Sequence, residues 1–206
     1  MSKAKVAGAL TVGFVVVVAA LLAMDVDERF IPKRFSEVEP GVYRSGQIHP
    51  SLIRKTLVEN RIGAVIDLQH FEPKTALVAE AEAIAVLDID AYRFPLNGNG
   101  TGDVDRYVAA LVKLHELKLA GVPTLVHCAA GSQRTGGVFV VWEVLVQGRS
   151  PHAALSNLEQ HDWDPARDQV LLDYLNEHLA YIAAQLLKAG VIDSVPEHLP
   201  YLAYSE

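Results

Sequence analysis

One stretch of the chain gathers residue types that can do chemistry together: His127-Cys128-Ala129-Ala130-Gly131-Ser132-Gln133-Arg134-Thr135-Gly136. The apolar run Val122–His127 before it reads as a buried strand, and Thr135–Gln147 after it reads as a helix. A loop passing from a strand into a helix N-terminus aims several backbone N–H groups at one point, with the positive end of the helix dipole behind them. Such a point binds an anion, and it also lowers the pKa of a thiol placed there. Cys128 stands at the start of this loop as a candidate nucleophile. Arg134, six residues on, can turn back and hold two oxygens of a bound phosphate with its planar fork. Gly131 supplies a backbone angle that side chains resist. Ala129, Ala130, Gly131, Ser132, Gln133, Arg134 and Thr135 together make the candidate binding set, with the Thr135 hydroxyl in reach of a thiolate and His127 placed to orient the loop from behind.

The alternative is a buried structural cysteine with an unrelated arginine nearby, since free Cys is among the most buried residue types. Arg at a given position is a chance of about one in twenty, and Gly at another a further factor of roughly fourteen at average usage. The flanking His, Thr and Gly reduce coincidence further, so the anion-cradle reading is the one carried forward.

Other segments must position this loop. Ala64–Leu68 and Ala91–Leu96 read as short buried strands, the latter with Pro95 near its end. Ser51–Glu59 and Thr75–Val86 have helical character, and Val104–Leu119 carries apolar residues at 104, 107, 108, 111, 114 and 117, a core-facing stripe. Pro151–Gln160 and Pro165–Lys188 are further helices, each opening with a proline suited to the first turn. Strands alternating with helices predict an α/β fold with a mainly parallel central sheet flanked by helices. The expected organisation is an N-terminal apolar segment over 1–24, a polar connector over 25–40, one domain over 41–190 and a tail over 191–206 that packs as an arm or lies free.

Composition narrows the chemistry. The chain has 206 residues, enough for one domain with its own core, and a formal net charge of −7 without any basic run, so no nucleic-acid footprint is present. A single cysteine rules out a disulfide framework and a thiolate-only metal cage. His115, His152, His161 and His178 show no pair at metal-ligand spacing. Trp142 reads as core.

Val6 to Met24 is a nineteen-residue run without a charge, about long enough for a helix to cross a hydrocarbon core. Lys3 and Lys5 precede it; Asp25, Asp27 and Glu28 follow. It reads as a membrane anchor or, in the alternative, as a cleaved secretory signal. Arg29, Lys33 and Arg34 on the far side nearly balance the positive-inside rule. The short basic N-terminus favours a single-pass arrangement with the domain on the extracytoplasmic side, or a secreted or periplasmic domain if the segment is cut.

HCAAGSQRTG is similar to the HCxxGxxR(S/T)G loop of the protein tyrosine and dual-specificity phosphatases. Val38–Gln47, VEPGVYRSGQ, and the following AVIDL strand resemble the small bacterial, plant and fungal dual-specificity-like branch, over roughly residues 35–180. Two departures stand out. Many relatives carry Arg after the equivalent strand, where this chain has Gln69-His70. Relatives acting on inositol phosphates often carry Lys or Arg inside the loop, where this chain has only Ala, Ala, Gly, Ser and Gln. The resemblance implies a metal-free and cofactor-free phosphomonoester hydrolase, with a phosphorylated protein, above all phosphotyrosine, or a small monoester as substrate.

The implied mechanism is in-line attack by the Cys128 thiolate, a phosphocysteine intermediate, and charge stabilisation by the loop amides and the Arg134 fork. A general acid protonates the leaving oxygen. In the family it is usually an Asp on a mobile loop about thirty residues before the Cys; position 97 is Asn here. Within the Gly-rich segment Asn97–Asp105, Asp103 is the first candidate and Asp105 the next, although Asp103 is equally a helix N-cap for Val104–Leu119. Asp162 and Asp164 are more distant candidates, and Asp67 reads as structural at a strand end. Two other classes compete: a pseudophosphatase that binds phosphorylated partners, and a sulfur transferase of the rhodanese type. An inositol phosphate is the alternative substrate.

Overall fold

A computed structural model describes residues 28–204. Its elements in chain order are β1 (Ser36–Glu39), β2 (Val42–Ser45), α1 (Pro50–Glu59), β3 (Ala64–Asp67), α2 (Thr75–Leu87), β4 (Asp90–Arg93), α3 (Val104–Leu119), β5 (Thr124–His127), α4 (Gln133–Val141), a π-helical turn (Trp142–Val146), α5 (Pro151–Glu159), α6 (Pro165–Asp168) and α7 (Val170–Lys188). The strands form one sheet in the order β1-β2-β5-β3-β4. β2, β5, β3 and β4 run parallel, while β1 pairs antiparallel to β2, so the sheet is mixed rather than parallel throughout. The antiparallel strand lies inside the range expected to be a connector. Gly41, at φ 78°, turns the chain back between β1 and β2.

Alternation along the strands divides the core. Val65 and Leu125 face α1 and α2, packing with Ile53, Leu57 and Ala83. Ala64, Ile66 and Val126 face the opposite way, onto Leu111 and Leu114 of α3, Val138 of α4 and Leu175 of α7. β5 is central, with β2 and β3 on either side, and its C-terminal end is covered on both faces. In open α/β sheets this is where ligands bind, outside the carboxyl ends of the strands.

Helix ends follow local chemistry. Asp103 caps α3 by accepting from the Asp105 N–H at 3.0 Å, and Ser150 caps α5 by accepting from the Ala153 N–H at 3.3 Å, with Pro151 in the first turn. The expected single helix after the loop is α4 followed by the π-helical turn, which Trp142 anchors by donating from Nε1 to Glu39 Oε1 at 2.7 Å. The expected helix over Pro165–Lys188 is two helices that meet at Gln169. The tail packs as an arm: Leu202 is buried, and its backbone exchanges two 2.8 Å hydrogen bonds with the Asn176 amide.

The apolar segment expected to be an anchor or signal lies outside the described residues. Among the described residues no helix is long and apolar enough to cross a membrane.

Candidate active site

β5 ends at His127, and the loop from Cys128 to Ser132 carries the chain into α4. Two backbone approaches fix its shape. Gly131 sits at φ 81°, and a Cβ there would lie 2.5 Å from Gly46 N and 2.7 Å from Ser45 C. The exit of β2 answers in kind: the Gln47 N–H donates to Ala129 O at 3.0 Å, and a side chain on Gly46 would strike Ala130 O. The phrase Ser45-Gly46-Gln47 is therefore one wall of the loop, and both glycines are there because backbone packs on backbone.

Two arginines bind carbonyls of the loop. Arg44, buried at the end of β2, donates from Nη2 to Gly131 O at 2.8 Å, with its guanidinium 5.5 Å from the centre of the Phe139 ring. Burial lowers its pKa to about 10, against the pull of Cys128 and Glu143, so it stays charged at neutral pH. Arg34 donates to Ala130 O at 2.6 Å and pairs with Asp162 at 2.5 Å. Ser132 Oγ donates to the Asp162 carbonyl at 3.0 Å.

The Cys128 sulfur lies buried at the base of this cradle and accepts the Gly131 N–H at 3.1 Å. Burial alone raises a thiol's pKa. Here the Thr135 hydroxyl, the Arg134 charge and the Thr135 and Gly131 N–H groups outweigh it and bring the pKa below the ordinary value. The Thr135 hydroxyl is buried with no other partner, which leaves it to the sulfur. Arg134 has no carboxylate partner among the described residues, and its Nε is buried without a hydrogen bond. Its side chain lines a cavity of about 270 Å³ together with Ala129, Gln69, His70, Glu72, Lys74 and Gly98. An unpaired arginine and an acidified thiol at a helix N-terminus form a site for a tetrahedral oxyanion under nucleophilic attack.

The structure thus brings together Cys128, Ala129, Arg134 and Thr135, with Ala130, Gly131, Ser132 and Gln133 shaping the loop between them. Asp103 is not among the residues that line the cavity beside Arg134. Asp103 is at the N-terminus of α3, and its carboxylate is occupied by the Asp105 N–H, with Arg106 at 3.9 Å. Asp105 accepts from Tyr181 at 2.7 Å, Asp162 is paired with Arg34, and Asp164 caps α6. None of these four lines the cavity beside Arg134, where the acidic residue is Glu72, paired with Lys74 at 2.5 Å. The Gly-rich segment is tethered as well: Tyr107 donates to Gly100 O and Tyr174 to Gly102 O.

Asp67 is structural in the way its position indicated: one oxygen accepts the Gln69 N–H and the other pairs with Arg93, both at 2.9 Å. With Glu80 and His127 it forms the one buried cluster of metal-ligand composition among the described residues. Its carboxylates are matched by Arg93 and the His127 ring, so the charges balance without an ion. Arg44, Arg34, Gln47 and Glu80 are functional neighbours that the sequence reading did not single out.

No protein-family model and no curated protein sequence matches the chain. Solved structures do. TpbA of P. aeruginosa, in a complex with phosphotyrosine, superposes with a TM-score of 0.60 at 17% identity, over 76% of this chain and 90% of that one. Tk-PTP gives 0.60 at 19%, over 73% and 97%. The core catalytic domain of the PP-IP phosphatase SIW14 from S. cerevisiae gives 0.56 at 22%, over 75% and 94%. The chain shares its fold with these three solved phosphatases.

Proposed function

We propose that the chain is a phosphomonoester hydrolase of the protein tyrosine and dual-specificity type, working through a phosphocysteine intermediate on Cys128. The observation that carries this reading is the pairing of an acidified, buried Cys128 thiol with an Arg134 that has no carboxylate partner among the described residues, both at one helix N-terminus. The Cys128 thiolate attacks phosphorus in line; the S–P bond forms as the P–O bond to the leaving alcohol breaks, and the leaving oxygen departs with a proton taken from an acidic group or from solvent. The loop N–H groups and the Arg134 fork take up the charge on the equatorial oxygens. Water then releases phosphate from the sulfur and restores the thiolate.

A phosphotyrosine or another monoester fits the cavity wall, which adds one ion pair, Lys74 with Glu72, and therefore little net charge to Arg134. TpbA was crystallised with phosphotyrosine, whereas SIW14 is described as acting on a PP-IP substrate. A panel of phosphopeptides, inositol phosphates and para-nitrophenyl phosphate discriminates these readings. Turnover of phosphotyrosine peptides is expected, with Cys128→Ser abolishing it while leaving fold and phosphate affinity intact. A wild-type protein that binds phosphate and turns over none of them, nitrophenyl ester included, would be a phosphate-binding pseudophosphatase.

The N-terminal apolar run supports a tethered or exported domain on the extracytoplasmic side. Alkaline extraction of membranes and protease accessibility in intact cells test that placement.

A further inference from the structure

Glu80 lies on α2, in a stretch where Glu and Ala alternate, yet it is 4% exposed while its neighbour Glu82 faces solvent. An ionised carboxylate is buried only where it is matched. The match is the His127 ring, itself 1% exposed, whose Nε2 lies 3.1 Å from Glu80 Oε1 as an ion pair, while neither ring nitrogen makes an aligned hydrogen bond among the described residues. The other oxygen, Oε2, accepts from Gln47 Nε2 at 2.9 Å. Gln47 in turn accepts from Gln69 Nε2 at 2.8 Å, and its backbone N–H holds Ala129 O. Glu80 is thus joined to the catalytic loop twice, through the ring that precedes Cys128 and through the amide pair beside Ala129.

The groups facing the ring come from three elements. β3 presents Asp67, with Oδ1 at 4.0 Å; α2 presents Glu80; and Cys128 follows along the ring's own chain. Arg93 of β4 pairs with the other oxygen of Asp67 and also acts on the Glu80 carboxylate. Burial disfavours a charged imidazole, but Glu80, Asp67 and the Cys128 sulfur outweigh it, and the pKa rises to about 9. The His127–Glu80 pair is therefore a buried dipole whose positive member is the residue adjacent to Cys128.

We propose that Glu80 is a positioning residue for the Cys128 thiolate: its carboxylate fixes the His127 ring as a cation beneath the loop, so the sulfur ionises in a field set from outside the loop. The proposal rests on the reading of Cys128 as the nucleophile, but its test does not use turnover. Glu80→Gln keeps the length and removes the charge, so the ring gives up its proton and the thiol ionises less readily. Alkylation of Cys128 by iodoacetamide, followed against pH, reads this directly. The midpoint is expected to rise by about one pH unit, making alkylation below the midpoint about tenfold slower. His127→Gln is expected to shift it similarly, and adding Glu80→Gln to that variant should shift it no further. A merely structural Glu80 would lower stability in both backgrounds and leave the midpoint alone.

The second measurement needs no variant to fold. In the wild-type protein with labelled histidine, the His127 ring is expected to remain protonated at about pH 7.5 by NMR, where an ordinary histidine is neutral. A neutral ring at that pH, or an unmoved midpoint in a folded Glu80→Gln protein, would overturn the proposal. An inactive wild type with the expected alkylation shift would count against the phosphatase reading and leave this one standing.

Discussion

Replacing Gly131 by alanine tests the cradle where its geometry is least forgiving. The residue is at φ 81°, which costs an L side chain about 1–2 kcal/mol. The added Cβ would also lie 2.5 Å from Gly46 N and 2.9 Å from Gly46 Cα, and neither backbone atom can rotate away. Such overpacking typically adds about 1–3 kcal/mol. Gly121 is the matched control: it sits at φ 69°, and a Cβ there meets nothing within 4 Å. Gly121→Ala should therefore cost only the backbone contribution, about 1–2 kcal/mol, and Gly131→Ala about 2–5 kcal/mol. At roughly 2–4 °C per kcal/mol for a domain of this size, thermal melts separate the two. Activity separates them further. Moving Gly131 withdraws the N–H that lies 3.1 Å from the Cys128 sulfur, so kcat should fall by about 10²-fold or more, while Gly121→Ala stays near wild type. Equal melting shifts and equal kcat in the two variants would refute the close approach of loop and strand exit.

Arg134→Lys should be nearly inactive, because a point charge replaces a two-pronged clamp; a loss in kcat of less than tenfold would remove Arg134 from that role. Asp103→Asn should change stability little, since Asn caps helices as well as Asp does. Its placement as the cap of α3 predicts near-normal turnover of phosphotyrosine as well; a drop of about 10²–10⁴-fold, smaller with a nitrophenyl ester, would show that Asp103 is the acid after all. Peroxide at neutral pH should inactivate the enzyme, reversibly by thiol at first, since no second cysteine exists in the chain to trap the sulfenic acid. A Cys128 resistant to peroxide would contradict its lowered pKa.

The loop was legible in the sequence because its chemistry requires neighbouring residues, and the strand and helix around it carry clear apolar patterns. β3 and β5 are buried on both faces and read as apolar runs, and the α3 stripe puts Tyr107, Leu111, Leu114 and Leu117 into the core. The edges were less clear. β1, SEVE, is a half-exposed edge strand with no apolar alternation, so its sequence reads as connector, and β4, DAYR, is mostly exposed and starts one residue before the apolar run Ala91–Leu96 and ends within it. α2 shows why side-chain roles were harder still: Glu80 and Glu82 are indistinguishable in sequence, and only packing against β5 makes one of them the partner of His127. Arg44 lies three residues after Gly41 in the opening phrase, and nothing local marks it as buried; its place is set by Gly131, 87 residues away. Asp103 had two readings, and its own backbone N–H neighbour at Asp105 is what engages it.

The proposed reaction runs through a covalent phosphate on Cys128. Rapid acid quench during turnover of labelled phosphotyrosine peptide, followed by mass spectrometry of the digested chain, tests it most directly. One phosphate is expected on the peptide that contains Cys128, present in wild type and absent from Cys128→Ser. Turnover with no such adduct, or with phosphate on any other side chain, would contradict it.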